Sequence, residues 1–197
     1  MQRRAIFVDR DGTLSEKNGP VADPEQLRLL PWAAAAICRI NRSGRQVVVV
    51  TDQPGVAFGE FDENVLADVH ERLRRLLLED GARLDGIYHC PHHPEGKIER
   101  YRRDCTCRRP GIALFERARD EMGIALDGSF FIGDSPDALQ AAAACGMPSV
   151  LVRTGEGRET EATLARIDVT PACVVDTIED AAEWALQQCA APAAPVS

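Results

Sequence analysis

The sequence lacks an excess of positive charge, a long apolar run and a leader-like N-terminus. Its 197 residues carry a formal net charge of −8, with a pI of about 5.1. This argues against nucleic-acid and anionic-membrane partners, because both need a broad positive field. No apolar run reaches the roughly 18 residues that a membrane span needs, and the apolar stretch before Asp9 is too short for a signal peptide. We therefore expect a cytoplasmic protein, and we expect it to be a monomer.

Short aliphatic runs alternate with segments of helical period. This alternation is typical of βαβ units, in which helices cover both faces of a parallel sheet. It predicts a single three-layer α/β/α domain over residues 1–189, with a mostly parallel sheet, followed by a disordered Ala/Pro-rich tail, 190–197. The predicted strands are 5–8, 47–50, 86–89, 130–132, 150–152 and 173–175. The predicted helices are 33–41, 63–79, 112–122, 138–145, 159–167 and 178–188.

Seven cysteines, an odd number in a chain predicted to be cytoplasmic, indicate metal ligands and buried thiols rather than a disulfide framework. Three of them fall in the segment 90–110, which has no periodicity and is long for an unstructured loop. Thiolates and an imidazole suit a tetrahedral zinc ion, and four protein ligands leave no open position. We therefore predict a structural zinc that orders the loop 90–109. Its predicted ligands are Cys90, His92, Cys105 and Cys107, with His93 as an alternative to His92.

Acidic and hydroxyl side chains follow several of the predicted strands. Asp9 and Asp11 come directly after the first strand, Thr51-Asp52-Gln53 after the second, and Asp134 after the fourth. The carboxyl ends of parallel strands are where ligands bind in an open sheet. Two carboxylates that close repel each other, which demands a cation or a raised pKa, and Mg²⁺ prefers such oxygen ligands. Taken alone, Asp9-Arg10-Asp11-Gly12 would equally suit a surface turn.

Together with Arg109-Pro110-Gly111, these motifs occur in the order found in the haloacid dehalogenase-like phosphatases, which the chain resembles over most of its length. The resemblance implies a Rossmann-like core without an inserted cap domain, and a Mg²⁺-dependent phosphoryl transfer. It implies that Asp9 is the nucleophile and that Asp11 is the acid and base. The resemblance implies further site residues: Asp9, Asp11 and Asp134 for Mg²⁺, and Thr51, Asp52, Gln53, Arg108 and Arg109 for the phosphate.

The cysteine-containing loop narrows the resemblance to the zinc-containing branch of that family. This branch includes heptose bisphosphate phosphatases and histidinol-phosphate phosphatases. The resemblance implies a sugar-phosphate substrate, with removal of the C7 phosphate of D-glycero-D-manno-heptose 1,7-bisphosphate on the way to nucleotide-activated heptose for bacterial surface polysaccharide. Histidinol phosphate or another small phosphomonoester is the alternative substrate. A catalytically weak relative that only binds a sugar phosphate is an alternative of another class.

Several positions depart from the family pattern. Asp52 stands where the heptose enzymes usually have asparagine, and Arg109 where the family usually has lysine. An acid in place of an amide should weaken anion binding unless a cation compensates. The usual second acid of the fourth motif is replaced by Ala138, so Asp137, one position earlier, is a possible Mg²⁺ ligand.

Basic residues are concentrated in the cysteine-containing loop, where six lie between positions 97 and 109 against two acidic residues. We expect Arg108 and Arg109 to attract a phosphorylated substrate. Lys17 lies in the loop after the paired aspartates, which either contacts substrate or is plain surface. Trp32 is expected to pack in the core or at its edge, and His70 to face solvent.

Overall fold

The computed structural model describes residues 3–190, in which six strands form one sheet with seven α-helices. The strands are β1 (Arg3–Val8), β2 (Gln46–Asp52), β3 (Gly86–Cys90), β4 (Ile124–Gly133), β5 (Ser149–Val152) and β6 (Cys173–Val175). The helices are α1 (Ala33–Arg42), α2 (Gly55–Phe58), α3 (Glu63–Glu79), α4 (Ala113–Met122), α5 (Pro136–Ala144), α6 (Gly157–Thr163) and α7 (Ile178–Ala190). Within residues 3–190, no helix combines the length and the apolar character needed to cross a membrane.

The sheet is parallel throughout, with the strand order β3-β2-β1-β4-β5-β6. Alternate residues of β1 point to opposite faces: Ile6 and Val8 pack with α1, α3 and α7, whereas Ala5 and Phe7 pack with α4 and α5. Both faces are therefore covered, which is why the strands are continuously apolar. The predicted three-layer architecture with a parallel sheet is confirmed.

Local sequence accounts for the helix boundaries that were predicted best. Helix α3 begins after Asp62, whose carboxylate accepts hydrogen bonds of 2.9 Å from the backbone N–H groups of Asn64 and Val65. Beyond its last turn lies Gly81, with a φ of 79° that a glycine adopts without strain. The boundaries of α3 match the predicted range 63–79.

Strand β4 and helix α6 differ from their predicted ranges. Strand β4 begins at Ile124 rather than at 130, and its register against β1 shifts between Arg4 and Ile6. The polar and glycine residues Asp127, Gly128 and Ser129 separate Ile124–Leu126 from the apolar run that begins at Phe130, so the apolar pattern missed the first half of the strand. Helix α6 ends at Thr163, where a 3₁₀ turn, Leu164–Arg166, continues.

The prediction that Trp32 packs in the core or at its edge is wrong, because its side chain is 54% exposed. It lies directly before α1 with a left-handed φ of 67°. The predicted disordered tail lies outside the described residues, apart from Ala190, which is the last residue of α7.

Candidate active site

A cleft of about 490 Å³ opens at the carboxyl edge of β1 and β2. Asp9 follows β1, while Thr51 and Asp52 end β2, so the parallel order brings the predicted residues together. The loop that precedes α4 supplies Arg108 and Arg109. The predicted catalytic acids and the predicted phosphate-binding residues all line this cleft, as does the possible metal ligand Asp137: Asp9, Asp11, Thr51, Asp52, Gln53, Arg108, Arg109 and Asp137.

Arg109 joins two carboxylates at the base of the cleft. Its Nη1 donates to Asp9 Oδ2 at 2.6 Å, and its Nε donates to Asp52 Oδ2 at 2.9 Å. Burial alone lowers the pKa of Arg109, but the charges of Asp9 and Asp52 raise it above its usual range. Arg109 is therefore the cation that compensates Asp52, which answers the expectation that an acid at this position would weaken anion binding.

Asp9 is 2% exposed and keeps both of its oxygens in contact with donors. The backbone N–H of Arg10 donates to Oδ1 at 2.7 Å, and Arg109 binds Oδ2. Burial raises the pKa of Asp9 to about 6, although Arg109 opposes the shift, and the nearby Asp134 adds to it. The ionised form of Asp9 is therefore costly in this buried position despite its contact with Arg109.

Several side chains donate hydrogen bonds to the Asp11 carboxylate. Arg10 binds it through two nitrogens, Nε to Oδ1 at 2.9 Å and Nη2 to Oδ2 at 2.8 Å. Gln53 Nε2 lies 2.9 Å from Asp11 Oδ2 and 2.9 Å from Thr51 Oγ1. Ser15 Oγ adds a contact of 3.2 Å to Oδ1. The Asp11 carboxylate therefore has one orientation in this structure.

Asp134 lies beneath the cleft and is fully buried. Its Oδ2 accepts from the Glu156 backbone N–H at 2.9 Å and from Lys17 Nζ at 3.3 Å. Lys17 also pairs with Glu156 Oε2 at 3.1 Å, so this residue lines the cleft and is not plain surface. Gly12 passes so close that a Cβ there would lie 2.2 Å from Asp134 Oδ2.

These residues fit a divalent cation. Asp134 Oδ1 is buried and has no hydrogen-bond partner among the described residues. Burial raises the pKa of Asp134 as it does that of Asp9, so ionisation of both carboxyl groups is costly unless a hard cation lies beside them. The Asp11 carboxylate is engaged by Arg10 and Gln53, which leaves its backbone carbonyl as the group it could offer.

The four predicted cysteine and histidine ligands form one cluster. Their Sγ and Nδ1 atoms all lie within 4.8 Å of one another. Cys90 Sγ is 3.5 Å from Cys105 Sγ and 3.0 Å from Cys107 Sγ, and His92 Nδ1 is 3.2 Å from Cys107 Sγ. His93 is not part of this cluster; its ring lies 4.8 Å from that of Phe58.

The cluster has the chemistry of a tetrahedral metal site. A zinc ion with bonds of about 2.3 Å to sulfur holds its ligands roughly 3.5–3.8 Å apart, close to the spacing observed here. Burial raises the pKa of the Cys90 thiol, so its thiolate needs a cation beside it. Four protein ligands leave no position for substrate, which indicates a structural role.

The sequence did not single out Arg10 as a site residue, left Lys17 as either a substrate contact or plain surface, and misplaced His70. Arg10 is 1% exposed and binds Asp11, and Lys17 binds Asp134; both are recognisable only as charges flanking acids. The prediction that His70 faces solvent is wrong, because it is 8% exposed. Its position on the buried stripe of α3, beside Val69 and one turn from Leu66 and Leu73, could have revealed this.

A family model described as HAD-hydrolase-like matches residues 106–181. The D-glycero-beta-D-manno-heptose-1,7-bisphosphate 7-phosphatase of Escherichia coli O6:H1 (strain CFT073) is 36% identical, over 94% of this chain and 90% of that protein. The protein of the same name from Vibrio cholerae serotype O1 is 33% identical, over 95% of this chain and 98% of its own length.

A solved structure shares the fold. It is the D,D-heptose 1,7-bisphosphate phosphatase from B. bronchiseptica, complexed with magnesium and phosphate. The TM-score is 0.81 at 33% sequence identity, and the match covers 94% of this chain and 99% of that one. The likeness therefore extends over nearly the whole chain.

Proposed function

Because this chain belongs to the HAD-like hydrolase family, among the D-glycero-β-D-manno-heptose-1,7-bisphosphate 7-phosphatases, we propose that it removes the C7 phosphate of D-glycero-D-manno-heptose 1,7-bisphosphate. The reaction is Mg²⁺-dependent and passes through an aspartyl-phosphate on Asp9. The substrate is taken from the names of the relatives, and the roles of the residues are argued from the cleft. A cytoplasmic location and a monomeric state stay predictions.

In the first half of the reaction, an oxygen of Asp9 attacks phosphorus, and the bond between phosphorus and the C7 oxygen breaks. Asp11 lies on the same cleft and donates its proton to the departing oxygen. The guanidinium of Arg109, which already contacts Asp9 at 2.6 Å, neutralises charge on the phosphoryl group. Thr51 and Gln53 supply hydrogen bonds that orient it.

In the second half, Asp11 takes a proton from water, which attacks the phosphorus of the aspartyl-phosphate. The bond between phosphorus and Asp9 breaks, and inorganic phosphate leaves. One carboxylate thus serves first as acid and then as base, so it must keep a single position through both steps. The contacts from Arg10 and Gln53 support that requirement.

Asp9, Asp134 and the Asp11 backbone carbonyl would hold Mg²⁺, with Asp137 on the first turn of α5 as a further candidate. When bound, Mg²⁺ neutralises the negative charge that Asp9, Asp134 and the phosphoryl group bring together. Lys17 would then keep its existing contact with Glu156 and could exchange the one with Asp134 for a contact with the substrate. Zn²⁺, held by Cys90, His92, Cys105 and Cys107, would fix the loop that carries Arg108 and Arg109.

One observation carries the proposal: a buried Asp9 in contact with Arg109, facing the same cleft as Asp11. The repulsion between a carboxylate nucleophile and an anionic phosphate is what prevents this reaction in water. A guanidinium within 2.6 Å of that nucleophile supports its use against phosphorus. Asp9 contacts Arg109, whereas Asp11 contacts Arg10 and Gln53. These different partners support different roles for the two acids.

The test is phosphate release from the heptose bisphosphate with Mg²⁺, followed by ³¹P NMR to identify the remaining phosphate. We expect the C1 phosphate to stay, and Asp9→Asn to abolish turnover. Asp127→Asn is the matched control: Asp127 is exposed and does not line the cleft. It should retain full activity.

Three outcomes would change the proposal. Full turnover by Asp9→Asn would refute the assignment of Asp9 as the nucleophile. A higher kcat/KM for histidinol phosphate would keep the chemistry and replace the substrate. No release from any phosphomonoester, with Mg²⁺ present, would leave a sugar-phosphate-binding protein.

A further inference from the structure

His70 is a buried polar residue for which neither the fold nor the proposed mechanism accounts. It lies on the inner face of α3 and is only 8% exposed. A buried imidazole is costly unless its nitrogens find partners. Its Nε2 lies 3.3 Å from Nη1 of Arg10, and its ring lies 5.4 Å from the ring of His89.

The contact with Arg10 defines the state of the imidazole. Burial lowers the pKa of His70 to about 2, and the positive charge of Arg10 adds to the shift, so the ring is neutral. A guanidinium donates hydrogen bonds and cannot accept them. His70 Nε2 is therefore the acceptor, and its proton sits on Nδ1.

Arg10 connects His70 to the cleft. Its guanidinium is planar, so fixing one nitrogen fixes the direction of the others. Nε and Nη2 bind the two oxygens of Asp11 at 2.9 and 2.8 Å, and Nη2 also binds Gln53 Oε1 at 2.9 Å. His70 Nε2 contacts Nη1, the guanidinium nitrogen that binds neither Asp11 nor Gln53.

We propose that His70 is a positioning residue for Asp11: by accepting from Arg10 Nη1, it fixes the guanidinium plane that orients the Asp11 carboxylate towards the leaving oxygen. This inference rests on the proposed function, because it takes Asp11 as the acid. His70 itself touches neither substrate nor metal.

The leaving group distinguishes this role from a purely structural one. An alkoxide such as the C7 oxygen leaves only if it receives a proton as its bond to phosphorus breaks. A p-nitrophenolate leaves without one, because it is a far weaker base. A displaced Asp11 should therefore slow transfer from a sugar phosphate and spare transfer from p-nitrophenyl phosphate. A loosened fold should slow both.

The test compares two amides that differ in reach. The side-chain end of Gln overlays Nε2 of a histidine, whereas that of Asn overlays Nδ1, so only His70→Gln keeps an acceptor near Arg10. The parameter is kcat/KM, which covers the steps up to the first phosphoryl transfer and excludes the later hydrolysis that both substrates share. Val69→Ala, on the same buried face, controls for lost packing.

We expect His70→Asn to lower kcat/KM for the heptose bisphosphate by about tenfold or more, and that for p-nitrophenyl phosphate by less than about threefold. His70→Gln should recover most of the loss. Val69→Ala should lower the Tm without a difference between substrates. If His70→Asn does not fold, His70→Leu supplies the same comparison.

Equal losses on the two substrates would overturn the inference, as would a His70→Gln variant that behaves like His70→Asn. Either result, with an active wild-type enzyme, leaves the proposed function intact. A wild-type enzyme that releases phosphate from neither substrate would instead refute the proposed function, and the role of His70 with it.

Discussion

Asp52 and Arg109 depart from the family pattern at two positions 57 residues apart, and the structure places them in contact. The Nε–Oδ2 distance is 2.9 Å, and their side chains are 17% and 7% exposed. We predict that the two departures act as one unit. The perturbation is a double-mutant cycle of Asp52→Asn, Arg109→Lys and the combination.

The contacts of Arg109 determine the expected magnitudes. A lysine offers one compact ammonium and cannot reproduce the fork that reaches both Asp9 and Asp52. Arg109→Lys thus loses a charge-assisted hydrogen bond and leaves Asp52 as an uncompensated carboxylate beside the phosphate. We expect a loss of about 3 kcal/mol in transition-state stabilisation, roughly 150-fold in kcat/KM. Asp52→Asn keeps an acceptor for Nε and should lose about 1 kcal/mol, roughly fivefold.

The combined variant tests the coupling. Independent effects would sum to about 4 kcal/mol, close to a thousandfold. Since the amide removes the orphaned carboxylate, we expect the double variant to lose only about 2 kcal/mol, roughly thirtyfold. The assay is phosphate release at several substrate concentrations, together with the inhibition constant of inorganic phosphate. The control cycle, Arg117→Lys with Glu121→Gln, uses an exposed pair at 2.7 Å and should show no coupling. Losses at Asp52 and Arg109 that add within about 0.5 kcal/mol would refute the reasoning.

Two further predictions concern the metal sites. Cys105→Ser should lower the zinc content and the phosphatase activity while far-UV circular dichroism stays unchanged, because the sheet does not depend on the loop. Cys145→Ser is the control. Absence of zinc from wild-type protein made in zinc-replete medium would contradict the prediction. Gly12→Ala should weaken Mg²⁺ binding in a titration, because its Cβ would lie 2.2 Å from Asp134 Oδ2. Gly44→Ala is the control: its φ of 79° is similar, but no atom lies within 4 Å of the added Cβ, so it should lower only the Tm. Equal Mg²⁺ affinities of the two variants would count against the argument.

The sheet and its carboxyl edge could be predicted from the sequence because their signals are local. Val47–Val50 is a continuous aliphatic run, and the acid and hydroxyl residues follow such runs directly. Parallel pairing then brings the ends of separate strands to one edge, which is enough to predict that Asp9, Thr51 and Asp134 lie close together. The first half of β4 escaped prediction because its Leu126-Asp127-Gly128-Ser129 segment follows no apolar pattern.

Contacts between distant charges could not be predicted in the same way. Taken alone, Asp52 would repel an anionic phosphate. Its effect on phosphate binding depends on the contact with Arg109, which the sequence does not show. The amphipathic pattern of α3 identifies a buried and an exposed face, and His70 was placed on the wrong one, although its spacing matches the buried stripe. In both cases the environment of the side chain depends on residues that are distant in the sequence: Arg109 for Asp52 and Arg10 for His70.

We propose that a zinc ion in the cysteine and histidine cluster lets a long loop hold Arg109 in the cleft. Cys90 is the last residue of β3, and Cys107 lies two residues before Arg109, so a metal ion there ties the sheet to the start of the catalytic segment. The backbone carbonyl of Cys90 also accepts from the N–H of Gln53 at 2.8 Å, which joins the same strand end to the cleft. We propose that such a clamp limits the displacement of Arg109 relative to Asp9 without contacting the substrate. It would thereby preserve the 2.6 Å contact between Arg109 and Asp9, which places the guanidinium where it can neutralise the charge of an incoming phosphoryl group.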